Sequence, residues 1–331
     1  MRILIIKMTS LGDIVHMLPA LTDAAARLPG LSVDWVVEEN FAAIPELHPA
    51  VGRIIPIALR RWRKTPLSAS VRREIGSFAA SLRKEPYDLI IDSQGLIKSA
   101  AVGMLARGVR SGYSFASVRE PFSSLFLQKR FSVEKNIAAI LRNRLLMAGA
   151  IGYQIADDAP LNYGIGSVFA TAPADFLPAR YLLALHGTAR REKEYPLADW
   201  KVLIERCSKA GWPVALPWGN AREKQRAEQL AAYGGTVLPT MGLRQLATIV
   251  ASCQGVVGVD TGLMHLAAAL RKPGIGLYPS TAISRFGVLC EPDGPLIANY
   301  CETSDLEPER VSESLLALLE PAFPRTAIAD K

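Results

Sequence analysis

Two short polar stretches interrupt apolar runs where a strand would pass into a helix: "KMTSLGD" at residues 7–13 and "VDTGLMH" at 259–265. In the first, Thr9, Ser10, Gly12 and Asp13 make a polar turn. A carboxylate there has two readings. It caps the following helix, with Gly12 permitting the turn, or it faces a substrate as a general base that takes a proton from an attacking hydroxyl. In the second stretch Thr261 and His265 are four residues apart and share a helix face, and Gly262 lets a ligand approach the backbone. The unpaired N–H groups and positive dipole end of a helix start favour an anion. The bland counterparts are Asp260 as a plain N-cap and His265 as a satisfied core histidine. Asp-Thr-Gly at the mouth leans the reading toward a phosphate cradle.

Three further segments carry polar groups in useful combinations. "ALHGTARREKEYPLADW" sets Gly187 and Thr188 after a strand and Lys193 before a helix starting near Pro196. Amides, a hydroxyl and an ammonium in one loop suit a diphosphate, though a solvated polar loop is the commoner fate. "LPWGNAREKQRAEQL" places Trp218 and Gly219 at a strand end and Glu223 early in a helix, where a carboxylate binds a ribose diol or simply answers the helix dipole. "ALRRWRKTPLSASVRR" gathers Arg60, Arg61, Arg63, Lys64, Arg72 and Arg73 around Trp62. It reads either as a solvated helix face or as a surface for carboxylates, phosphates or anionic lipid.

Other chemistries are disfavoured. The four cysteines contain no C-x-x-C pair and the four histidines no H-E-x-x-H, so no metal site is expected, and Cys207 and Cys253 read as buried thiols. No G-x-G-x-x-G follows a strand, which argues against a nicotinamide dehydrogenase. No D-x-D triplet occurs, so a metal-held diphosphate is not expected. The basic stripe lacks the stacking aromatics of a single-strand nucleic-acid binder. "MRILIIKMTS" is too short an apolar run for a signal peptide and reads as a first strand, and no run is long enough to span a membrane. A protein soluble on the cytoplasmic side is expected.

The elements that must position these residues alternate along the chain. Half of its 331 residues are hydrophobic, enough for two ordinary cores. "RILIIK", "SVDWVV", "RIIPIA" and "YDLIID" read as strands in the first half, and "YLLALH", "WPVALP", "GVVGVD" and "PGIGLY" in the second. Helical patterns lie between, among them "IVHMLPALTDAAARL" and "KSAAVGMLA". That alternation implies parallel sheets covered by helices on both faces. The series stalls over "YQIADDAPLNYGIGSVFATAPADFLPAR" and restarts near Tyr181. The expected division is residues 1–160 and 161–306 as two Rossmann-like domains facing across a cleft, with 307–331 forming a helix that returns to the first. Charge is also divided: residues 1–150 hold 21 Lys/Arg against 12 Asp/Glu, and 151–331 hold 17 against 19. The first half suits an anionic partner.

Taken in order, "MRILIIKMTSLGDIVHMLPAL", "VDWVVEENFAAIPELHPAV", "ALRRWRK", "IDSQGLIKSA", "REPFSSLF", "LPWGNAREKQRA", "LPTMGL" and "VGVDTGLMHLAAAL" resemble the lipopolysaccharide heptosyltransferases almost end to end. These are inverting GT-B glycosyltransferases. "RRWRK" and "DSQGLIKSA" favour the heptosyltransferase I branch over the second. The resemblance implies transfer of L-glycero-D-manno-heptose from ADP-heptose to a Kdo of Kdo2-lipid A, by single displacement and without a cofactor. It implies Asp13 as base, with Lys193 and helix-start amides stabilising the leaving diphosphate. Thr188, Lys193, Glu223, Met241, Asp260, Thr261, Gly262 and His265 match its donor positions. Thr9, Ser10, Arg60, Arg61, Arg63, Lys64, Gln94, Lys98 and Arg119 would face the acceptor. A monomer attached peripherally to the cytoplasmic face of the anionic inner membrane, with no nucleic-acid partner, is expected. The sequence departs from the family at Ala189, where a second Thr is common, at Arg191-Glu192, and in "YPSTAISRFG", which keeps only Thr281 of a Gly-Pro-Thr-Asp-Pro run. The rival readings are a related GT-B transferase for another nucleotide sugar or acceptor, and a non-catalytic binding protein with the same shell.

Overall fold

The computed structural model describes residues 1–156, 158–166, 176–188, 190–281 and 283–319. They form two compact units, Met1–Ile165 and Gly166–Lys331. The first is built on β1 (Arg2–Ile6), β2 (Ser32–Glu38), β3 (Val51–Ile57), β4 (Leu89–Asp92), β5 (Val109–Tyr113) and β6 (Lys129–Phe131). They lie in the order β3-β2-β1-β4-β5-β6, all parallel. The second unit uses β7 (Leu182–Leu185), β8 (Val214–Leu216), β9 (Gly235–Val237), β10 (Gly255–Val259), β11 (Gly274–Leu277) and β12 (Ile297–Tyr300). Its order, β12-β11-β10-β7-β8-β9, is the same permutation, again all parallel. In such sheets ligands gather at the carboxyl ends of the strands, where the order reverses. Those points are the ends of β1 and β4 in one unit, and of β7 and β10 in the other.

Central strands covered on both faces read as unbroken apolar runs. Ile3–Ile6 and Leu182–Leu185 are buried throughout. Leu4, Ile6, Val36, Ile55 and Ile90 meet Phe78, Leu82 and Val102 on one face of the first sheet. In the second unit Trp200, Leu203 and Ile204 pack on Val257, Val259, Ile275 and Leu277. The expected strands are all present. "IVHMLPALTDAAARL" is not one helix but falls across Leu11–Val15 and Leu18–Arg27, because Pro19 in the first turn of the second cannot continue the first. Cys207 and Cys253 are buried thiols.

The last helix corrects one expectation. Pro308–Leu319 stays with the second unit, placing Val311, Leu315 and Leu319 in its core beside Trp200 and Leu203. Arg206 reinforces it with bonds of 2.7 Å to Ser312 Oγ and Glu313. An amphipathic helix goes where its apolar stripe is covered, and the cover here is the helix Leu197–Lys209. Residues 320–331 of that expected segment lie outside the described residues.

Asp34, buried within the first sheet, is held by Arg53 at 2.6 Å, Arg2 at 3.1 Å and the Tyr87 hydroxyl at 2.7 Å. Burial works against its charge, but these bonds win and its pKa is lowered. His48 accepts from Ala50 N–H through Nδ1 at 3.2 Å, so its Nε2 donates to Thr22 Oγ1 at 2.9 Å. A Cβ at Gly164 (φ +72) would lie 2.6 Å from that Nε2, so only glycine fits there.

Acid is expected to weaken the two units unequally. Burial pushes His48 in the first unit and His186 in the second down to about 4. Stability from a depressed imidazole is complete above its unfolded value of 6.5 and is lost as pH falls toward 4. That loss is about 3 kcal/mol for each. Asp92 in the first unit is pushed up to about 6 by burial, and its contribution runs the other way, growing as pH falls from 6 toward 3.8. It offsets His48, while among the described residues of the second unit the only carboxyl raised is that of Asp199, by burial and Glu309, without a shift as large. Calorimetry at neutral pH and near pH 4 should show the second unit losing more stability, and His186→Gln should narrow the difference. Equal losses in the wild-type units would overturn the assignment.

Candidate functional site

In the first unit the predicted residues fall along one edge of the sheet, after β3 (Arg60, Arg61, Arg63, Lys64), β1 (Thr9, Ser10, Asp13), β4 (Gln94, Lys98) and β5 (Arg119). The β1 loop is closely tied. Ser10, not Asp13, is the N-cap of Leu11–Val15. Asp13 sits at the third helical position, and its Oδ2 accepts from Ser10 N at 2.8 Å and Ser10 Oγ at 3.0 Å. Both bonds run from Ser10 to Asp13, and together they fix the carboxylate. Its Oδ1 takes no hydrogen bond among the described residues. Gln94 Oε1 accepts from Met8 N at 2.9 Å and Thr9 N at 3.0 Å, joining the β1 and β4 loops.

Two ionisable groups unremarked in the sequence stand behind Asp13. Lys7, buried at the end of β1, donates from Nζ to Ser93 O at 2.8 Å. Burial lowers its pKa, against the attraction of Asp13 and Asp92, with Arg142 adding a further lowering. Asp92, the buried last residue of β4, accepts from Gln94 N and Gly95 N at 3.0 Å and Ser99 Oγ at 2.8 Å. The available signal was positional: a lysine and an aspartate each end an apolar run at the two strands where the order reverses.

The basic segment divides by role. Arg61 is committed to structure, pairing with Glu39 at 3.0 Å and Glu74 at 2.8 Å. Trp62 is buried, donates to Glu74 at 2.8 Å and meets Phe78 edge-on at 5.8 Å. Arg60 is exposed, with its guanidinium over the Phe41 ring. Arg63, Lys64, Lys98 and Arg119 are exposed.

In the second unit the predicted residues follow β7 (Thr188, Lys193), β8 (Glu223), β9 (Met241) and β10 (Asp260–His265), four adjacent strands. Thr261, not Asp260, is the N-cap of the helix Gly262–Ala269. Asp260 instead binds Lys193 Nζ at 2.5 Å, and Thr188 Oγ1 donates to the Asp260 carbonyl at 3.1 Å. Two loops, after β7 and β10, therefore bring together a cation, a hydroxyl and the first-turn amides of a helix. His265 is buried within that helix. Glu223 accepts from Gly219 N at 2.7 Å and lies across Gly187, where a Cβ would come 2.7 Å from its carboxyl carbon. A polar cavity of about 180 Å³ beside it is lined by His186, Glu194, Arg222 and Arg226. Met241 lines a second cavity of about 220 Å³ with Phe176, Pro239 and Ile249. Ser280 in the divergent loop donates to Glu192 O at 2.5 Å, anchoring that loop to the Lys193 turn, and Thr281 Oγ1 is buried without a partner among the described residues. Ala189 lies outside the described residues.

Two α/β units of one strand order, each gathering its polar groups at the carboxyl edge, make a GT-B-like architecture. Residues 75–316 match the model of glycosyltransferase family 9 (heptosyltransferase), and the chain belongs to that family. It is 45% identical over 286 residues to lipopolysaccharide heptosyltransferase 1 of Escherichia coli (strain K12), covering 85% of this chain and 88% of that one. The solved E. coli heptosyltransferase WaaC with ADP matches it with a TM-score of 0.85 and 39% identity, over 97% of this chain and 99% of that one. The same enzyme with ADP-2-deoxy-2-fluoro heptose gives a TM-score of 0.81 at the same identity and coverage.

Proposed function

We propose that the chain transfers L-glycero-D-manno-heptose from ADP-heptose to a Kdo hydroxyl of Kdo2-lipid A, in synthesis of the lipopolysaccharide inner core. The observation that carries the mechanism is the Asp13 carboxylate, held through Oδ2 by Ser10 with Oδ1 left to act. Asp13 takes the Kdo hydroxyl proton as that oxygen attacks the anomeric carbon. The bond from this carbon to the diphosphate oxygen breaks on the opposite face, and configuration inverts. Lys193 and the amides opening the Thr261 helix meet the charge that grows on the departing ADP.

The first domain, residues 1–160, holds the acceptor in this reading, through Thr9, Ser10, Gln94, Lys98, Arg119 and the exposed Arg60, Arg63 and Lys64. Arg61 acts mainly by fixing that segment through Glu39 and Glu74. Residues 161–306 hold the nucleotide sugar. Thr188, Asp260, Gly262 and His265 shape the diphosphate loop, Glu223 binds the ribose diol and the cavity at Met241 takes the base. The names of the relatives support donor and acceptor alike, and their ADP-bound structures support the nucleotide.

No helix among the described residues is long and apolar enough to cross a membrane. The basic first half supports peripheral attachment to the anionic inner-membrane surface, weakened by salt because exposed charge is screened.

The test is ADP release from ADP-heptose with and without Kdo2-lipid A, plus mass analysis of the lipid. Acceptor-dependent release with one added heptose is expected. No release by folded protein, or release equally fast with GDP- or UDP-sugars, would reject this donor assignment.

A further inference from the structure

The first unit carries an apolar surface that the transfer chemistry does not use. Around the turn Pro121–Phe126, Phe122 is 65% exposed, Leu125 63%, Phe115 53%, Ile97 48% and Phe126 37%. Large apolar side chains scattered singly over a surface need no explanation, but a contiguous group does. Phe115 and Phe122 meet edge-to-face at 6.4 Å, and Leu125 and Phe126 share one turn with Phe122. Ile97 N donates to Glu120 Oε2 at 2.7 Å, and Glu120 N to Gly95 O at 3.2 Å, fastening the start of the neighbouring helix beside the turn.

The turn is rigidly built. Arg130 Nε donates to Ser124 O at 2.7 Å and Arg110 Nε to Phe126 O at 2.8 Å. Ser124 Oγ closes on Pro121 O at 2.9 Å, and Ser123 and Ser124 are buried beneath the exposed rings. Polar residues thus point inward and aromatic ones outward, the reverse of an ordinary surface turn.

The surrounding charge identifies the partner. Residues 95–135 contain seven Lys/Arg and only two Asp/Glu, and Lys98, Arg119, Lys129 and Arg130 are exposed. An aromatic and aliphatic centre within a basic rim matches the boundary of an anionic bilayer, with acyl chains for the centre and headgroups for the rim. A second copy would bring two basic rims together and is disfavoured by that repulsion.

We propose that this surface is a membrane wedge, with Phe122 and Leu125 leading into the headgroup–acyl boundary of an anionic membrane. It deepens the reading of a membrane-lipid acceptor and rests on it for its purpose. Lys98 and Arg119 are the exposed chain neighbours of Ile97 and Glu120, which bond to each other beside the turn, so the wedge would bring both cations to the membrane surface.

The test is partition of the full chain onto phosphatidylglycerol/phosphatidylcholine vesicles against phosphatidylcholine alone. Phe122→Ser/Leu125→Ser should reduce partition onto the anionic vesicles by at least about tenfold. Leu296→Ser, an exposed apolar residue of the second unit, should leave it unchanged. Phe122→Trp should gain blue-shifted emission on anionic vesicles, quenched by brominated acyl chains. Turnover of the double variant on a deacylated, soluble Kdo acceptor should equal wild type, which also establishes its folding. Wild-type partition that is absent, or unaffected by the double substitution, overturns the wedge. A concentration-dependent dimer abolished by that substitution would assign the surface to a second copy and overturn it as well. Vesicle binding without any heptose transfer would sink the transfer reading and leave the wedge standing.

Discussion

Asp13→Asn should lower turnover by about three orders of magnitude while leaving ADP-sugar affinity within a few-fold of wild type. Asparagine keeps a side-chain oxygen that can accept from Ser10 N and Oγ, so the helix start at Leu11 survives. It has no lone pair basic enough to take the acceptor proton. Asp13→Ala should be equally inactive but less stable, by about 1 kcal/mol, because it also removes the acceptor of the two Ser10 bonds at the helix start. Comparing the two separates proton transfer from architecture. Turnover and melting temperature measured side by side would show equal kinetic losses and unequal thermal ones. If Asp13→Asn turned over near the wild-type rate, Asp13 would be a capping residue and nothing more.

Lys193→Ala should reduce kcat by about a hundredfold, the usual effect of losing one donor to developing charge. Its effect on ADP affinity should be larger than the lost ammonium alone explains. Lys193 is bonded to Asp260 at 2.5 Å, so truncating it leaves a carboxylate beside the helix start to which the proposed function assigns the diphosphate. Lys193→Ala/Asp260→Ala should therefore bind ADP more tightly than Lys193→Ala, though still turn over poorly. Calorimetric titration of the two single variants and the double would give the coupling directly. Additive losses would mean that Asp260 and Lys193 act on the nucleotide independently.

Much of this architecture was legible because parallel strands covered on both faces leave an unmistakable sequence trace. "RILII", "LLAL" and "GVVGV" needed no partner to be read. The strands that escaped notice were β5, β6, β9 and β12. Three of these lie at sheet edges, where one side is left uncovered and the pattern turns short and polar, as in "KRF" and "GTV". β5 carries Arg110 and Gly112 in the place of a continuous apolar run.

The polar loops were equally legible as places, since "TSLGD" and "DTG" mark strand-to-helix turns. Their internal geometry was not. Whether Asp13 or Ser10 caps turns on where one short helix starts, while whether Asp260 caps or binds Lys193, and which arginine of "RRWRK" is tied to Glu39 and Glu74, depend on groups distant in sequence. Lys7 and Asp92 were passed over for the same reason. A charged residue ending an apolar run acquires meaning only once β1 and β4 are known to be neighbours.

Because Pro308–Leu319 stays on the second unit, the described chain passes from one unit to the other once, near residues 165–166. Among the described residues each sheet is completed by contiguous sequence, and no strand is borrowed across that point. A crossover there would cut no sheet and no core. Relatives could exchange whole halves in a single recombination event, each half bringing its own complete sheet and core. A fold of this wiring can change what it joins without redesigning how it folds.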